Sequence, residues 1–305
     1  MITRRQFATT LAGMATSAVL ARPGNVWADQ PPLRIAISLE MLAGANVNDA
    51  RAAYRVWADQ ISQSLALRHA QVLDRVYFPS AELLQMIRSG QVDFIALTAL
   101  EYARVIDQID PEWMLVQDDF SNGLEYLLLV RNNSPYRGLE DLKGAKLLTY
   151  RHPTDCLLRQ WLTVRLASVT HQTVEEFFDA PEFKDKISEV VLPLFFGSIQ
   201  AAALSRSAFE MAIELNPQLG RELRIVDVSP KVIPNGFWTR RNCNAEDKHV
   251  FEQAMLRVKT MPSGRQVLAL FQTSGYSSRP CSIMTPTVDF IRSYESIRRR
   301  GGEKP

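Results

Sequence analysis

The chain has 305 residues, 35 lysines and arginines against 33 aspartates and glutamates, and a formal net charge of +2. The first 28 residues hold three arginines and no acidic residue, so the remaining 277 residues carry a net charge of −1. A near-neutral chain has no broad basic surface for nucleic acid, and we expect no nucleic-acid partner. A chain of this length lies where single cores tend to divide, which favours two lobes.

Residues 1–28 have the layout of a cleavable export signal. The sequence TRRQF at residues 3–7 contains a pair of arginines, an uncharged run extends to residue 21, and Ala28 ends a short cleavage pattern. The pair resembles a twin-arginine (Tat) signal, which implies the Tat translocase as a partner, cleavage near Ala28 and a periplasmic location. The alternative is a retained membrane anchor. The apolar run is rich in Ala, Thr and Gly and falls short of the roughly 18 to 20 apolar residues that a span requires.

The cysteines and histidines form no recognisable metal or redox motif. Cys156, Cys243 and Cys281 include no CxxC pair and stand near no histidine at metal-ligand spacing, so we expect no metal and no cofactor. In an oxidising compartment Cys243 and Cys281 could form a disulfide. Spacing does not show whether their Cβ atoms approach, and buried free thiols are the alternative.

Short apolar runs alternate with longer segments of helical periodicity along the chain. This alternation predicts an α/β fold with two lobes, each a mostly parallel sheet flanked by helices. The predicted strands are residues 34–39, 72–78, 93–97, 125–131, 146–149, 190–194, 211–213 and 224–228. The predicted helices are residues 50–67, 81–89, 157–167, 199–205, 245–259 and 264–272.

Two segments are the predicted hinge crossings between the lobes. Residues 126–131 form a long apolar strand before a polar turn, and residues 235–238 bring the chain back toward the first sheet. With these crossings, residues 29–130 and 235–305 form the first lobe, and residues 131–234 form the second.

Four stretches resemble those of a known family. Residues 89–97 (SGQVDFIAL), 139–147 (LEDLKGAKL), 196–204 (FGSIQAAAL) and 232–235 (VIPN) follow one another as in periplasmic solute-binding proteins. Within that group the chain is most similar to the phosphate, phosphite and phosphonate type of ABC-transporter binding protein. The resemblance implies the two-lobe periplasmic-binding-protein fold and a small-molecule ligand held between the lobes.

Polar residues after three predicted strands are the candidate ligand contacts. Ligands of open α/β sheets bind beyond the carboxyl ends of the strands, where the next helices point their free N–H groups. Thr98, Thr154 and Ser198 follow strands at 93–97, 146–149 and 190–194. Each is also an ordinary helix N-cap, a role that does not exclude contact with a ligand.

The segment after the strand at 146–149 departs from the family pattern. Where phosphonate binders carry a turn rich in Ser, Thr and Gly, residues 150–156 read YRHPTDC. Arg151 or His152 could supply a positive charge there, or both could simply lie in a solvated loop, whereas Asp155 would repel a phosphonate if it faced the cleft. Aromatic residues near strand ends or the hinge could stack on an organic ligand, namely Tyr102, Tyr126, Phe195, Phe196 and Trp238. For Phe195 and Phe196 a place in the core is the more common alternative.

Enzyme motifs are missing from the sequence: there is no GxSxG elbow, P-loop, GxGxxG or HExxH. This favours a non-enzymatic binding protein over a Tat-exported enzyme, which is the less favoured alternative. The family resemblance implies a monomer that delivers its solute to the permease of an ABC transporter. A sensory module that presents its ligand to a membrane receptor has the same fold, and residues alone do not separate the two.

Overall fold

A computed structural model describes residues 34–42, 48, 49, 51, 52, 55, 77–170, 172–261, 264, 265, 268, 269 and 273–300. The predicted signal over 1–28 lies outside these residues, as do most of the predicted helices over 50–67 and 264–272. Within the described ranges, no helix is both long enough and apolar enough to cross a membrane.

The strands of the described residues form two sheets. They are β1 (Ile35–Ser38), β2 (Tyr77–Phe78), β3 (Phe94–Thr98), β4 (Ile109–Gln117), β5 (Tyr126–Arg131), β6 (Lys146–Tyr150), β7 (Asp179–Lys184), β8 (Ala201–Ser205), β9 (Leu223–Val228), β10 (Asn235–Arg240) and β11 (Tyr276–Arg279). The first sheet has the order β11-β4-β10-β3-β1-β2, and the second has the order β7-β6-β8-β5-β9. The two-sheet α/β architecture agrees with the sequence prediction.

Helices flank both sheets. The α-helices of the described ranges are Ser80–Arg88, Ala99–Val105, Leu158–Val169, Val174–Phe177, Ile187–Phe195, Arg206–Leu215, Gln218–Glu222, Ala245–Arg257 and Thr285–Arg300. Short 3-10 helices lie at Leu39–Leu42, Ile106–Gln108, Asp118–Phe120, Leu139–Leu142, Pro153–Asp155, Val258–Thr260 and Cys281–Met284.

The sheets are mixed rather than mostly parallel. Strand β1 pairs in parallel with β2 and β3, and β6 pairs in parallel with β7 and β8. Strand β10 runs antiparallel to both β3 and β4, and β5 runs antiparallel to both β8 and β9. The reason is topological. Within each sheet, strand-helix-strand units set a common parallel direction, whereas β5 and β10 each arrive from the other sheet and run in the opposite direction.

Two neighbouring segments connect the sheets. Residues 118–125 lead from β4 into β5, and residues 229–234 lead from β9 into β10. They run antiparallel at one point, where the N–H of each of Leu124 and Val232 donates to the carbonyl of the other, at 2.8 and 2.9 Å. The sequence placed residues 126–130 in the first lobe, but β5 belongs to the second sheet, so the first crossing comes before Tyr126 and not after it. The second crossing ends where β10 begins, at Asn235.

One hydrophobic cluster reaches from the first sheet to the second. It includes Ile95 and Leu97 of β3 together with Leu128 and Val130 of β5, all fully buried. Trp161 of the helix Leu158–Val169 belongs to the same cluster. A separate cluster covers the other face of each sheet. The largest core therefore lies against those faces of the two sheets that contact the common cluster.

The sequence prediction exchanged helix and strand between residues 187 and 213. The predicted strands over 190–194 and 211–213 lie in helices, and the predicted helix over 199–205 is largely β8. Val190 and Val191 are β-branched and Pro193 interrupts the helical pattern, which favoured a strand. In contrast, β8 begins with three alanines, which favour helix, yet all five of its residues are buried between β5 and β6. Tertiary burial here overrides local propensity.

All three cysteines are free thiols. Cys281 is buried, and Cys156 and Cys243 are half-buried. Of the two alternatives that the sequence left open for Cys243 and Cys281, the structure has the free thiols.

Candidate ligand-binding cleft

The carboxyl ends of strands from both sheets meet on one side of the molecule. In the first sheet β1 ends at Ser38 and β3 ends at Thr98, and in the second β8 ends at Ser205. The turn Leu39–Leu42 after β1 contacts the turn Pro153–Asp155 after β6. The predicted meeting of strand ends from two sheets is therefore present in the fold.

A buried carboxylate organises the first-sheet side. The N–H and the hydroxyl of Thr98 both donate to Oε2 of Glu101 at 2.9 Å, and the hydroxyl of Ser38 donates to Oε1 at 2.7 Å. Thr98 and Glu101 form a capping box at the start of the helix Ala99–Val105. Glu101 thereby ties the ends of β1 and β3 together.

A second buried carboxylate organises the second-sheet side. Asp155 accepts hydrogen bonds from the N–H of Ser205 at 2.7 Å, from its hydroxyl at 3.2 Å and from the hydroxyl of Thr154 at 2.9 Å. Burial raises the pKa of Asp155 to about 7, although these hydrogen bonds act in the opposite direction. Because Ser205 is engaged by Asp155, its side chain does not cap the helix Arg206–Leu215 that it precedes.

The turn that carries Asp155 is fixed by its neighbours. Nδ1 of His152 lies 2.7 Å from the hydroxyl of Thr154, and the hydroxyl of Tyr126 donates to the carbonyl of Thr154 at 2.9 Å. Tyr126 is fully buried. Thr154 is therefore held from both sides while its side chain stays at the cleft.

A cavity of about 520 Å³ opens at this end of the second sheet. The crossing segments contribute Asp119, Phe120, Gly123, Leu124, Glu125 and Lys231. The end of β6 contributes Tyr150, and the turn after it contributes His152 and Thr154. The end of β8 and the following helix contribute Ser205, Arg206, Ser207, Ala208, Glu210 and Met211, and Ile187 completes the lining. The volume is within the usual range for sites that hold small organic molecules.

The cavity combines a helix N-terminus with positive charge. The first N–H groups of a helix have no partner within the helix and carry the positive end of its dipole. Here Ser207 and Ala208 of the first turn line the cavity together with Arg206 and Lys231. Arg206 also pairs with Glu125 at 2.7 Å, which positions its guanidinium beside the crossing segment.

Asp119, one of the acidic residues of the cavity lining, is engaged by hydrogen bonds. Asp119 accepts from the N–H and hydroxyl of Ser274 and from the hydroxyl of Thr273, each at 2.8 or 2.9 Å. Burial acts to raise the pKa of Asp119, but these hydrogen bonds outweigh it and hold the pKa below its usual value. Asp119 is therefore an ionised anchor for the segment 273–275.

Three aromatic candidates from the sequence are core residues. Tyr102 is 3% exposed and Trp238 and Tyr126 are 0% exposed. Tyr102 stacks on Trp238 with 4.6 Å between ring centroids, and Tyr126 packs against Trp161 at 6.4 Å. Their expected stacking on a ligand is not supported by this burial, and the physical reason is that all three stabilise the shared core.

The remaining candidates are spread over different places. Thr98 is buried at the end of β3, and Arg151 is exposed and pairs with Asp185 at 3.0 Å beside β7. Ser198 is exposed in the loop before β8. The expectation that Ser198 follows a strand was wrong, because Ile187–Phe195 is a helix. Of the predicted contacts, only Thr154 lines the cavity, and Asp155 lies behind it.

Sequence reasoning missed Ser205, Arg206, Ser207 and Lys231. The signal for the first three was present, since a serine before a helix of ten residues is a typical N-cap. It was hidden because the preceding alanines were interpreted as helix. Lys231 gave no signal, since only the folded crossing brings it to the cavity.

Comparisons with known proteins agree with this architecture. The family model described as ABC transporter, phosphonate, periplasmic substrate-binding protein matches residues 41–279. No curated protein matches the chain.

Solved structures share the fold. A Xanthomonas citri protein bound to ATP superimposes with a TM-score of 0.62 and 14% identity, over 88% of this chain and 99% of its own. A binding protein component of an ABC phosphonate transporter from Pseudomonas aeruginosa gives 0.55 and 16%, over 88% of each chain. PhnD1 from Prochlorococcus marinus, in complex with methylphosphonate, gives 0.55 and 12%, over 90% of this chain and 100% of its own.

The family is periplasmic, consists of substrate-binding proteins, and implies a small-molecule ligand and an ABC-transporter permease as partners. With a family match over most of its length and the two-sheet fold of its structural relatives, the chain belongs to the periplasmic substrate-binding proteins of the ABC phosphonate-transporter family and has a solute-binding role.

Proposed function

We propose that the cavity binds a small organic solute through an anionic group placed at the N-terminus of the helix Arg206–Leu215. The observation that carries the proposal is the convergence of that N-terminus with Arg206 and Lys231 on one cavity. Helix N-termini bind anions through free N–H groups and the helix dipole, and an arginine adds charge-assisted hydrogen bonds. The solute is then delivered to the permease of an ABC transporter.

A phosphonate is a suitable anionic group for this site. The sequence suggested that Asp155 would repel a phosphonate if it faced the cleft. Asp155 is 6% exposed, points at Ser205, and does not line the cavity. In place of the anion-binding turn that residues 150–156 lack, the proposed donors are the first-turn amides of Ser207 and Ala208, just after the central strand β8. The N–H groups of Ser205 and Arg206 already donate to Asp155 and to the carbonyl of Glu125.

The proposed contacts come from both sides of the cavity. Tyr150 and Thr154 offer hydroxyl groups, Ser207 offers a hydroxyl and a first-turn amide, and Arg206 and Lys231 offer positive charge. Arg151 and Ser198, which lie away from this cavity, are excluded from the proposed set. Thr98 positions the end of β3 through Glu101.

Closure of the two sheets around the ligand is part of the proposal. The crossing segments 118–125 and 229–234 both contribute to the cavity wall, so a ligand bound there touches the connections as well as the second sheet. Contacts that only the closed arrangement of the two sheets satisfies shift the equilibrium toward closure.

We also propose that the protein acts as a monomer without a catalytic step, and that it is exported by the Tat route with processing near Ala28.

Calorimetry and small-angle X-ray scattering with methylphosphonate test the function. We expect saturable binding and a smaller radius of gyration in the bound state. Lys231→Gln should weaken binding by about 1.5 to 3 kcal/mol, the usual contribution of a hydrogen bond to a charged group. Lys143→Gln changes an exposed lysine outside the cavity and is the matched control. Equal affinity of the two variants would contradict the assigned cavity.

A further inference from the structure

Asp155 is a buried acid whose described partners are all neutral. It is 6% exposed, and its hydrogen bonds come from the N–H and hydroxyl of Ser205 and from the hydroxyl of Thr154. Among the described residues, no lysine or arginine forms an ion pair with it. A carboxylate buried without a cation is unfavourable, and such a group tends to hold its proton.

The protonation of Asp155 is balanced near neutral pH. Burial raises its pKa to about 7, so both the neutral and the ionised form are populated in the unliganded protein. Any further negative charge nearby shifts this balance toward the neutral form.

The proposed anion site lies directly in front of Asp155. Ser205 is the residue that precedes the helix Arg206–Leu215, and Asp155 holds both its N–H and its hydroxyl. An anion at the first turn of that helix is therefore separated from the Asp155 carboxyl by Ser205. Two negative charges separated by one residue repel each other, and the burial of Asp155 reduces the screening of that repulsion by solvent.

The other ionisable groups around Asp155 do not neutralise it. Arg206, on the adjoining turn, is already paired with Glu125 at 2.7 Å. Burial, together with the nearby Asp155 carboxyl, raises the pKa values of Tyr150 of β6, Tyr126 of β5 and the Cys156 thiol, so these three groups stay neutral and add no positive charge. The further groups on elements packed against this turn are Glu40, Glu101 and His152.

The hydrogen-bond chain behind Ser205 accepts a proton without losing a contact. When Asp155 is ionised, the Thr154 hydroxyl donates to its Oδ2 at 2.9 Å. With the His152 proton on Nε2, Nδ1 accepts from the backbone N–H of Thr154 at 3.3 Å in both states. When Asp155 is protonated, its hydroxyl donates to the Thr154 oxygen, and the Thr154 hydroxyl turns to Nδ1 of His152, 2.7 Å away. Asp155, Thr154 and His152 therefore each keep at least one hydrogen bond in both states.

We propose that anion binding in this cleft is coupled to the uptake of one proton from solvent by the carboxylate of Asp155. The inference rests on the proposed function and specifies its regulation. The proton forms an O–H bond on Asp155 when the anion arrives and returns to solvent when the anion leaves. Asp155 does not touch the ligand; it is a positioning residue that acts through Ser205.

Proton-linked calorimetry tests the coupling. Methylphosphonate is titrated into the mature protein at pH 6 to 8.5 in buffers that differ in ionisation enthalpy, which gives the number of protons taken up. The wild type should take up as much as one proton more than Asp155→Asn, and its affinity should fall relative to that variant by up to about tenfold per pH unit above pH 7. Asp289→Asn, on the exposed face of the helix Thr285–Arg300, is the matched control and should behave as wild type.

Infrared difference spectroscopy of the wild type keeps the test independent of whether Asp155→Asn folds. At pH 8, methylphosphonate should produce a protonated carboxyl band at the expense of a carboxylate band. Binding without that band, or equal proton uptake by wild type and Asp155→Asn, overturns the coupling and leaves the proposed function intact. Failure of methylphosphonate to bind at any pH overturns both.

Discussion

The hydroxyl of Tyr126 donates a 2.9 Å hydrogen bond to the carbonyl oxygen of Thr154. The same hydroxyl accepts a hydrogen bond from the N–H of Leu157 at 3.3 Å. Tyr126 is the first residue of β5, directly after the crossing from the first sheet, and its backbone N–H donates to the hydroxyl of Ser229 in the second crossing at 2.8 Å. One buried residue thus links both crossings to the turn that lines the cavity, through its backbone N–H on one side and its hydroxyl on the other.

Tyr126→Phe removes the hydroxyl but keeps the ring. The carbonyl of Thr154 and the N–H of Leu157 lose a partner, and we expect a loss of about 1 to 3 kcal/mol in the free energy of unfolding. We also expect weaker methylphosphonate binding, because Thr154 is then less firmly held. Urea unfolding and calorimetry measure both. Tyr136→Phe is the control, since within the described ranges Tyr136 is hydrogen-bonded through its backbone carbonyl, which accepts from Arg224, and not through its hydroxyl. Equal stability of the two variants would contradict this role of Tyr126.

Much of the fold could be predicted from local sequence signals. The strands at 34–39, 93–97 and 125–131 correspond to β1, β3 and β5, and the helix at 81–89 corresponds to Ser80–Arg88. Thr98 and Glu101 are three residues apart, so their capping box is also a local signal. These elements have the periodicity and caps that short-range rules describe.

The cleft depends on contacts that local rules do not reach. Ser205 and Asp155 are 50 residues apart, and Ser38 and Glu101 are 63 apart. The alanines of β8 predicted a helix, and that error moved the predicted ligand contact from Ser205 to Ser198. Only the packing of β8 between two other strands reverses the preference.

Gly123 lies where the two crossings approach each other closely. Its φ is +80°, and a Cβ there would lie 2.9 Å from Cβ of Lys231. We expect Gly123→Ala to destabilise the protein by at least about 2 kcal/mol, from the left-handed backbone and the clash together. Gly90 also has a positive φ but an open neighbourhood, so Gly90→Ala should cost only about 1 kcal/mol. Thermal unfolding of both variants measures the difference, and an equal loss would mean that the crossings can separate freely.

The twin-arginine prediction is tested by export. Replacing Arg4 and Arg5 with Lys keeps the charge of residues 1–28 but removes the guanidinium pair. We expect the precursor to accumulate in the cytoplasm at its full length, while the wild type is processed near Ala28. Fractionation and mass spectrometry of the N-terminus show both outcomes. Arg22→Lys, which leaves the pair intact, should be exported normally, and normal export of the double variant would refute the Tat route.

The stability of the unliganded protein should depend on pH through Asp155. The pKa of this carboxyl is raised to about 7 in the folded protein, whereas an unfolded chain releases the proton near pH 4. The unfolded state is therefore favoured progressively as pH rises from about 4 to about 7, since only it ionises freely there. Above about 7 both states are ionised and the dependence ends, after a total loss of up to about 4 kcal/mol.

Asp155→Asn isolates this contribution from the other carboxylates. Asp93 and Asp110 have pKa values below their usual range because hydrogen bonds from Arg34 and Lys248 outweigh burial. Their contribution to the free energy of unfolding therefore increases as pH rises, whereas that of Asp155 decreases. Subtracting the unfolding free energy of Asp155→Asn from that of the wild type, at each pH from 4 to 8, removes those shared terms. We expect the difference to fall across pH 4 to 7 and then level off. A flat difference would mean that Asp155 is ionised throughout and that its neutral donors alone sustain a buried charge.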